Sequence, residues 1–209
     1  MAPTSPLPFF ILALFAVTAL CAASSVSVTS SRGGNNNPEA ATSFIKSSCS
    51  ATSYPTLCVE SLSVYADTIR GSRRQLALAA LSVSLSRAKS AKGFVSGLAN
   101  GGGLKGKAYM AVGDCLEMME ESVDRLSKAV QEMKRFGGAK GQDLMWHVSN
   151  VETWVSAALT DDNTCMDGID EKGVSVSGRL RSSIRGKIVN VAQVTSNALA
   201  LVNRFAEKN

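Results

Sequence analysis

The sequence lacks the side chains that most catalytic sites need. His147 is the only histidine among 209 residues, and it stands beside Trp146 with no nucleophile paired to it. No nucleophile–base pair and no cluster of metal ligands can be recognised elsewhere in the chain. We therefore expect no catalytic residue, no metal site and no cofactor, and the sequence does not predict an enzyme.

Two segments come close to ligand-binding loops without completing them. Residues 101–108 almost match a phosphate-binding loop, but Ala108 stands where Ser or Thr would hold magnesium, and a helix rather than a strand precedes it. Residues 161–168 alternate oxygen ligands, but Met166 occupies the position at which a calcium loop needs glycine. We interpret the first segment as a turn between helices and the second as the end of a helix.

Charge is modest and dispersed. The chain carries 22 basic and 17 acidic residues, a net charge of +5, and only 6% of its residues are aromatic. No basic cluster alternates with aromatic side chains, so nucleic-acid binding is not predicted. A small basic excess favours weak association with an acidic polymer, such as acidic pectin.

The N-terminal segment has the features of a secretory signal. No charged side chain precedes Arg32, and Phe9 to Ala23 is apolar or small, which is too short to span a bilayer. We predict a signal peptide at residues 1–23 and a disordered lead-in at 24–39, with an uncleaved anchor as the alternative. The secreted remainder, about 186 residues, is enough for one domain and has no expected membrane segment.

The cysteines indicate an oxidising compartment. Cleavage after Ala23 removes Cys21 and leaves an even set of four: Cys49, Cys58, Cys115 and Cys165. The first two enclose Tyr54-Pro55, which interrupts any helix there. A bridge across that break predicts a helical hairpin at residues 40–68.

The rest of the chain has helical periodicity and no strand alternation. Apolar residues recur every three or four positions in four stripes, which glycine-containing connections separate. The stripes run from Leu78 to Leu98, Ala108 to Met133, Leu144 to Ala158, and Leu180 to Phe205. Because the first two connections are short, neighbouring helices must be antiparallel. The sequence predicts an all-α, up-down-up-down four-helix bundle over residues 73–208, with the hairpin as an N-terminal extension.

Helix geometry favours one of the three possible disulfide pairings. The second and third bundle helices reverse direction near residue 138, so Cys115 lies level with position 161, about one turn from Cys165. This geometry favours Cys49–Cys58 together with Cys115–Cys165.

The chain resembles a known family at the residues around these cysteines. The Cys-x8-Cys arm with Tyr54-Pro55, the segment Asp114-Cys115-Leu116-Glu117 and the stretch from Val151 to Cys165 are similar to those of plant invertase and pectin methylesterase inhibitors. The resemblance covers about residues 40–208. It implies a secreted inhibitor of the apoplast and cell wall, in which bundle helices cover the substrate cleft of an enzyme. Because the chain stops at Asn209, we expect a stand-alone inhibitor rather than the pro-region of a larger esterase.

The resemblance favours pectin methylesterase as the partner. Members directed at invertase often carry Pro-Lys-Phe at a helix connection, and this chain has only Lys134-Arg135-Phe136 and Lys92-Gly93-Phe94. Inhibition of a cell-wall or vacuolar acid invertase is the first alternative. A non-inhibitory wall protein that binds pectin is the second.

The predicted contacts are the polar end of the third bundle helix and part of the second. Hydroxyl groups there can donate hydrogen bonds to the carboxylates of an enzyme. The candidate partner-binding residues are Thr160, Asp161, Asp162, Asn163, Thr164, Glu117 and Glu121.

Overall fold

The computed structural model describes residues 38–135 and 137–207. The predicted signal peptide at 1–23, the lead-in up to residue 37 and Phe136 lie outside these residues. The first helix begins at Pro38, so the last two residues of the predicted lead-in are helical. Proline suits the first turn of a helix because its missing N–H needs no partner there, and Glu39 complements the helix dipole. No helix among the described residues has the length and apolarity to cross a membrane.

Short helices form the N-terminal arm, and four long helices form the bundle. The arm consists of α1 (Pro38–Cys49), α2 (Pro55–Leu62), a 3₁₀ turn (Ser63–Tyr65) and α3 (Ala66–Ile69). The bundle consists of α4 (Arg73–Asn100), α5 (Gly106–Arg135), α6 (Gly141–Asp170) and α7 (Gly178–Ala206). The predicted all-α bundle with an N-terminal helical hairpin is confirmed.

Local sequence explains where the long helices begin. The Ser72 hydroxyl accepts a hydrogen bond from the Gln75 N–H at 3.3 Å and so caps α4. The Ser177 hydroxyl accepts one from the Leu180 N–H at 3.4 Å and so caps α7. Gly106 and Gly141 have φ values of +57° and +56°, a left-handed conformation that glycine adopts without strain. These glycines turn the chain sharply into α5 and α6.

The core lies along the four predicted stripes. Leu81, Met119, Val155 and Ile188, one from each long helix, are completely buried. Each long helix packs against its two neighbours in the cyclic order α4, α5, α6, α7. The α5–α6 edge is therefore opposite the α4–α7 edge, and the arm packs against the α4–α7 side.

A disulfide closes the arm, and polar contacts attach it to the bundle. Cys49 is bonded to Cys58 across the turn between α1 and α2, with 5.6 Å between their Cα atoms. The side-chain amide of Asn197 accepts from the Tyr54 N–H at 3.0 Å and donates to the Tyr54 carbonyl at 2.9 Å. Because Asn197 is buried on α7, this pair of hydrogen bonds fixes the turn against the bundle.

Candidate functional site

A disulfide joins the two helices that carry all of the predicted contacts. Cys115 on α5 is bonded to Cys165 on α6, with 4.3 Å between the Cα atoms. Both disulfides are the pairs that the spacing favours. Helix α5 ends at Arg135 and α6 begins at Gly141, so the connection is centred on position 138, as the sequence predicts. Cys165 lies within about one turn of the predicted level, position 161.

Two polar contacts continue the α5–α6 interface beyond the disulfide. Ser122 donates to Asp162 Oδ1 at 2.8 Å, and Arg125 Nε donates to Asp161 Oδ2 at 2.7 Å. Arg125 also lies 3.3 Å from the Glu121 carboxylate, on the next turn of α5. The two helices are thus linked by side-chain bonds over several turns, which favours a rigid surface.

Burial perturbs both aspartates. Burial raises the pKa of Asp162 to about 7. The adjacent Asp161 carboxylate raises this pKa further, whereas the Ser122 hydrogen bond lowers it. Burial also raises the pKa of Asp161, although the Arg125 guanidinium opposes the increase. Asp162 Oδ2 is buried without a hydrogen-bond partner among the described residues. This oxygen is the least satisfied polar atom of the interface, since a buried polar group without a partner is costly.

The far end of the interface contains the single histidine. His147 Nδ1 lies 2.6 Å from Glu132 Oε1, and its Nε2 lies 3.6 Å from Asp143 Oδ1. The ring therefore links the start of α6 to α5, in agreement with a structural role. The neighbouring Trp146 is exposed and meets the His147 ring edge-on.

A surface groove runs along the disulfide-bonded part of α5 and α6. Its main section has a volume of about 420 Å³, and an adjoining section of about 210 Å³ extends toward the start of α5 and the end of α6. We call this the α5–α6 groove. The residues that line its main section are Ala111, Asp114, Cys115, Met118, Thr164, Cys165, Asp167, Gly168 and Glu171.

The groove is acidic along its length and basic at one end. Asp114, Asp167 and Glu171 line it, and none of them forms an ion pair with another described residue. Lys107 and Lys172 lie at the end of the adjoining section. Free carboxylates and a half-buried Met118 beside a rigid disulfide provide both polar and apolar contacts for a partner surface.

Only one of the predicted α6 contacts lines this groove. Thr164 does, whereas Thr160 and Asn163 are exposed on α6 outside its lining. The hydroxyls of Thr160 and Thr164 donate to backbone carbonyls one turn earlier, at 3.1 and 2.9 Å. In the free chain these hydroxyl protons are engaged within the helix and their oxygens are left to accept, and donation to a partner stays a prediction.

Asp161 and Asp162 do not belong to the accessible surface. Asp162 is fully buried and Asp161 is 8% exposed, so the prediction that they contact a partner directly is corrected. Helix α6 continues to Asp170, and its phase turns both carboxylates toward α5. Glu117 and Glu121 on α5 are exposed, and Glu121 is paired with Arg125.

Six of the nine residues that line the main section of the groove lie outside the predicted site residues: Ala111, Asp114, Met118, Asp167, Gly168 and Glu171. Asp167 was weighed only as part of a calcium-like loop, yet residues 161–168 are continuous helix, which excludes that loop geometry. The spacing from Thr164 could have indicated three of these residues, because positions three, four and seven further along lie on the same side of a helix. Those positions are Asp167, Gly168 and Glu171. Met118 is half-buried at the groove. No group of three metal-ligating side chains occurs within residues 38–135 and 137–207.

Comparison with known proteins identifies the family. A model of the plant invertase/pectin methylesterase inhibitor family matches residues 43–201. The chain belongs to this family. Its members are inhibitors rather than enzymes, and the prediction of a non-enzymatic protein is confirmed.

Relatives extend the similarity over nearly the whole chain. The chain is 52% identical to the 21 kDa protein of Daucus carota over 169 residues. The alignment covers 81% of the chain and 86% of the relative. The chain is also 49% identical to pectinesterase inhibitor 9 of Arabidopsis thaliana over 187 residues. That alignment covers 88% of the chain and 91% of the relative. A crystal structure of a mutant form of a pectin methylesterase inhibitor from Arabidopsis superposes with a TM-score of 0.59 at 21% identity, covering 74% of this chain and 92% of that one. This last similarity supports the fold alone.

Proposed function

We propose that the protein inhibits a pectin methylesterase by forming a stoichiometric complex that covers the substrate cleft of the enzyme. The observation that carries this proposal is the 49% identity, across 88% of the chain, to a relative named as a pectinesterase inhibitor. The absence of Pro-Lys-Phe in the sequence supports the same target over acid invertase.

The α5–α6 groove and its rims are the proposed contact surface. Inhibition by cleft blocking needs a rigid surface with a few well-packed contacts rather than a reactive group. The Cys115–Cys165 bond and the Arg125–Asp161 and Ser122–Asp162 contacts support that rigidity. Thr164, Asp114 and Asp167 are the proposed central contacts, because they line the groove. Glu117, Glu121, Thr160 and Asn163 are proposed as outer contacts, because they are exposed on the same two helices.

The proposed site of action is the extracellular space of the plant cell wall. Two disulfides are consistent with secretion, because such bonds persist in oxidising compartments. The predicted signal peptide at residues 1–23 belongs to the same proposal.

A titration against two enzymes tests the target. Increasing amounts of the protein, beginning after Ala23, are added to a fixed concentration of purified pectin methylesterase and, separately, of acid invertase. We expect the esterase activity to fall linearly to an equivalence point near one inhibitor per enzyme while invertase is unaffected. Loss of invertase activity alone would establish the first alternative, and no loss of either would refute inhibition.

A further inference from the structure

A second pocket lies on the edge of the bundle opposite the α5–α6 groove. It is a cavity of about 150 Å³ between α1, the start of α4 and the end of α7. We call it the α4–α7 pocket. Its lining includes Phe44, Ser48, Arg73, Leu76, Leu201 and Arg204, and no acidic side chain lines it.

Two guanidinium groups give this pocket its charge. Neither Arg73 nor Arg204 forms an ion pair with a carboxylate among the described residues. Arg204 Nη1 donates to the Ser48 carbonyl at 3.2 Å, which orients the group and leaves its other N–H donors available. By contrast, the adjacent Arg74 is engaged with the carbonyls of Met133 and Lys134. Two guanidinium groups without carboxylate partners in one pocket suit a carboxylate ligand, which arginine binds through paired hydrogen bonds.

Beside the two arginines and the two serines, Ser47 and Ser48, the lining is apolar, and the volume is small. Leu76 and Leu201 are 2% and 3% exposed and form an apolar base together with Phe44. Pockets for drug-sized ligands usually measure about 300–1,000 Å³, so a cavity of about 150 Å³ suits a single unit of a larger ligand. A uronate unit fits both properties, because it offers a carboxylate beside an apolar C–H face. Inorganic phosphate has no C–H face for the apolar base, so we expect it to compete poorly with a uronate.

We propose that the α4–α7 pocket binds a free carboxylate of a uronate unit in a de-esterified pectin chain. The biological sense of this site rests on the proposed function, since a pectin methylesterase hydrolyses a methyl ester to a carboxylate and methanol. The product of the target enzyme would then hold the inhibitor where that enzyme has acted. Because the pocket and the α5–α6 groove lie on opposite edges of the bundle, both can be occupied at once.

The test measures polymer binding without any enzyme. Binding of an unesterified oligogalacturonate is measured by calorimetry at about 150 mM salt, where diffuse surface attraction is largely screened. The same measurement uses a fully methyl-esterified oligomer, and then the unesterified one with excess inorganic phosphate. The test variant is Arg73→Gln/Arg204→Gln. The matched control is Arg87→Gln/Arg179→Gln, which removes one exposed arginine each from α4 and α7 away from the pocket.

We expect the test variant to bind the unesterified oligomer at least about tenfold more weakly and the control less than twofold. The esterified oligomer should not bind, and phosphate should not displace the acidic one. Equal losses in the test and control variants would overturn the site in favour of general charge attraction. Binding of the esterified oligomer, or displacement by phosphate, would overturn the uronate assignment.

Two further measurements keep the outcome interpretable. Arg73→Gln alone changes an exposed side chain that has no polar contact with a described residue, so it should weaken binding severalfold without altering the thermal midpoint. The test variant should still inhibit the esterase when a soluble substrate is used. Retained inhibition with no polymer binding by the unmodified protein would overturn this inference alone. Polymer binding without inhibition would instead overturn the proposed function.

Discussion

At the scale of single residues, Asp162 shows how the helical period outweighs local polarity. It lies within Asp161-Asp162-Asn163-Thr164, which looks like an exposed helix end. However, the core stripe of Val151, Val155 and Ala158 continues through Asp162, Cys165 and Ile169 at steps of four, three and four. Following the stripe past Ala158 would have predicted the burial of Asp162. The Ser122 partner was not predictable, because it depends on the register between two helices.

The raised pKa of Asp162 predicts a specific pH dependence of stability. The pKa of Asp162 is about 7 in the folded protein and about 4 in the unfolded chain. Folding therefore takes up a proton when the pH is between about 4 and 7. The contribution of this residue to stability is therefore greatest below pH 4 and falls as the pH rises to 7. We expect Asp162→Asn to be more stable than the unmodified protein at pH 8, by about 1–3 kcal/mol, and to show little difference at pH 4.

Chemical denaturation at several pH values measures this effect. Asp167→Asn is the matched control, since Asp167 is exposed on the same helix. A stability difference for Asp162→Asn that stays constant from pH 4 to 8 would show that Asp162 does not titrate in this range.

At the scale of elements, the four long helices could be predicted and the details of the arm could not. The stripes and the glycine connections determine α4 to α7, because a narrow apolar seam must be buried against neighbouring helices. The arm has no long apolar stripe, so its 3₁₀ turn and the left-handed Arg70, with φ of 45°, were not marked by periodicity. Arg70 ends α3 through local bonds, from its N–H to the Ala66 carbonyl and from its Nε to the Asp67 carbonyl. The α5–α6 groove could not be predicted either, since it depends on how closely two helices pack.

The two disulfides should stabilise different parts of the molecule. In the chain-entropy model, closing the short Cys49–Cys58 loop contributes about 3 kcal/mol and closing the longer Cys115–Cys165 loop about 4 kcal/mol. We expect Cys49→Ser/Cys58→Ser to lose amide protection mainly in α1 and α2 and to retain most inhibition. We expect Cys115→Ser/Cys165→Ser to lower the stability of the bundle and to weaken inhibition, because this bond lines the groove.

Hydrogen exchange and an inhibition assay on both double variants test this division of roles. The two variants are each other's controls, since each replaces two cysteines by serines. The opposite pattern, with inhibition lost only when the arm bond is removed, would place the contact surface on the arm.

At the scale of the whole molecule, two edges of one bundle have different surface chemistry. The α5–α6 groove presents unpaired carboxylates, and the α4–α7 pocket presents arginines without carboxylate partners. The net charge of +5 conceals this difference, because it sums over both edges. The sequence predicted weak association with acidic pectin, and only the fold brings Arg73 and Arg204, 131 positions apart in the chain, to one pocket.

If the α5–α6 groove meets the esterase, reversing the charge within the groove should weaken inhibition. The inhibition constant for pectin methylesterase is measured for Asp114→Lys/Asp167→Lys and for the control Glu60→Lys/Asp67→Lys, which makes the same charge change at exposed positions of the arm. We predict at least about tenfold weaker inhibition by the groove variant and less than twofold change in the control, with unchanged thermal midpoints. Full inhibition by the groove variant, or an equal loss in both, would show that the groove is not the contact surface.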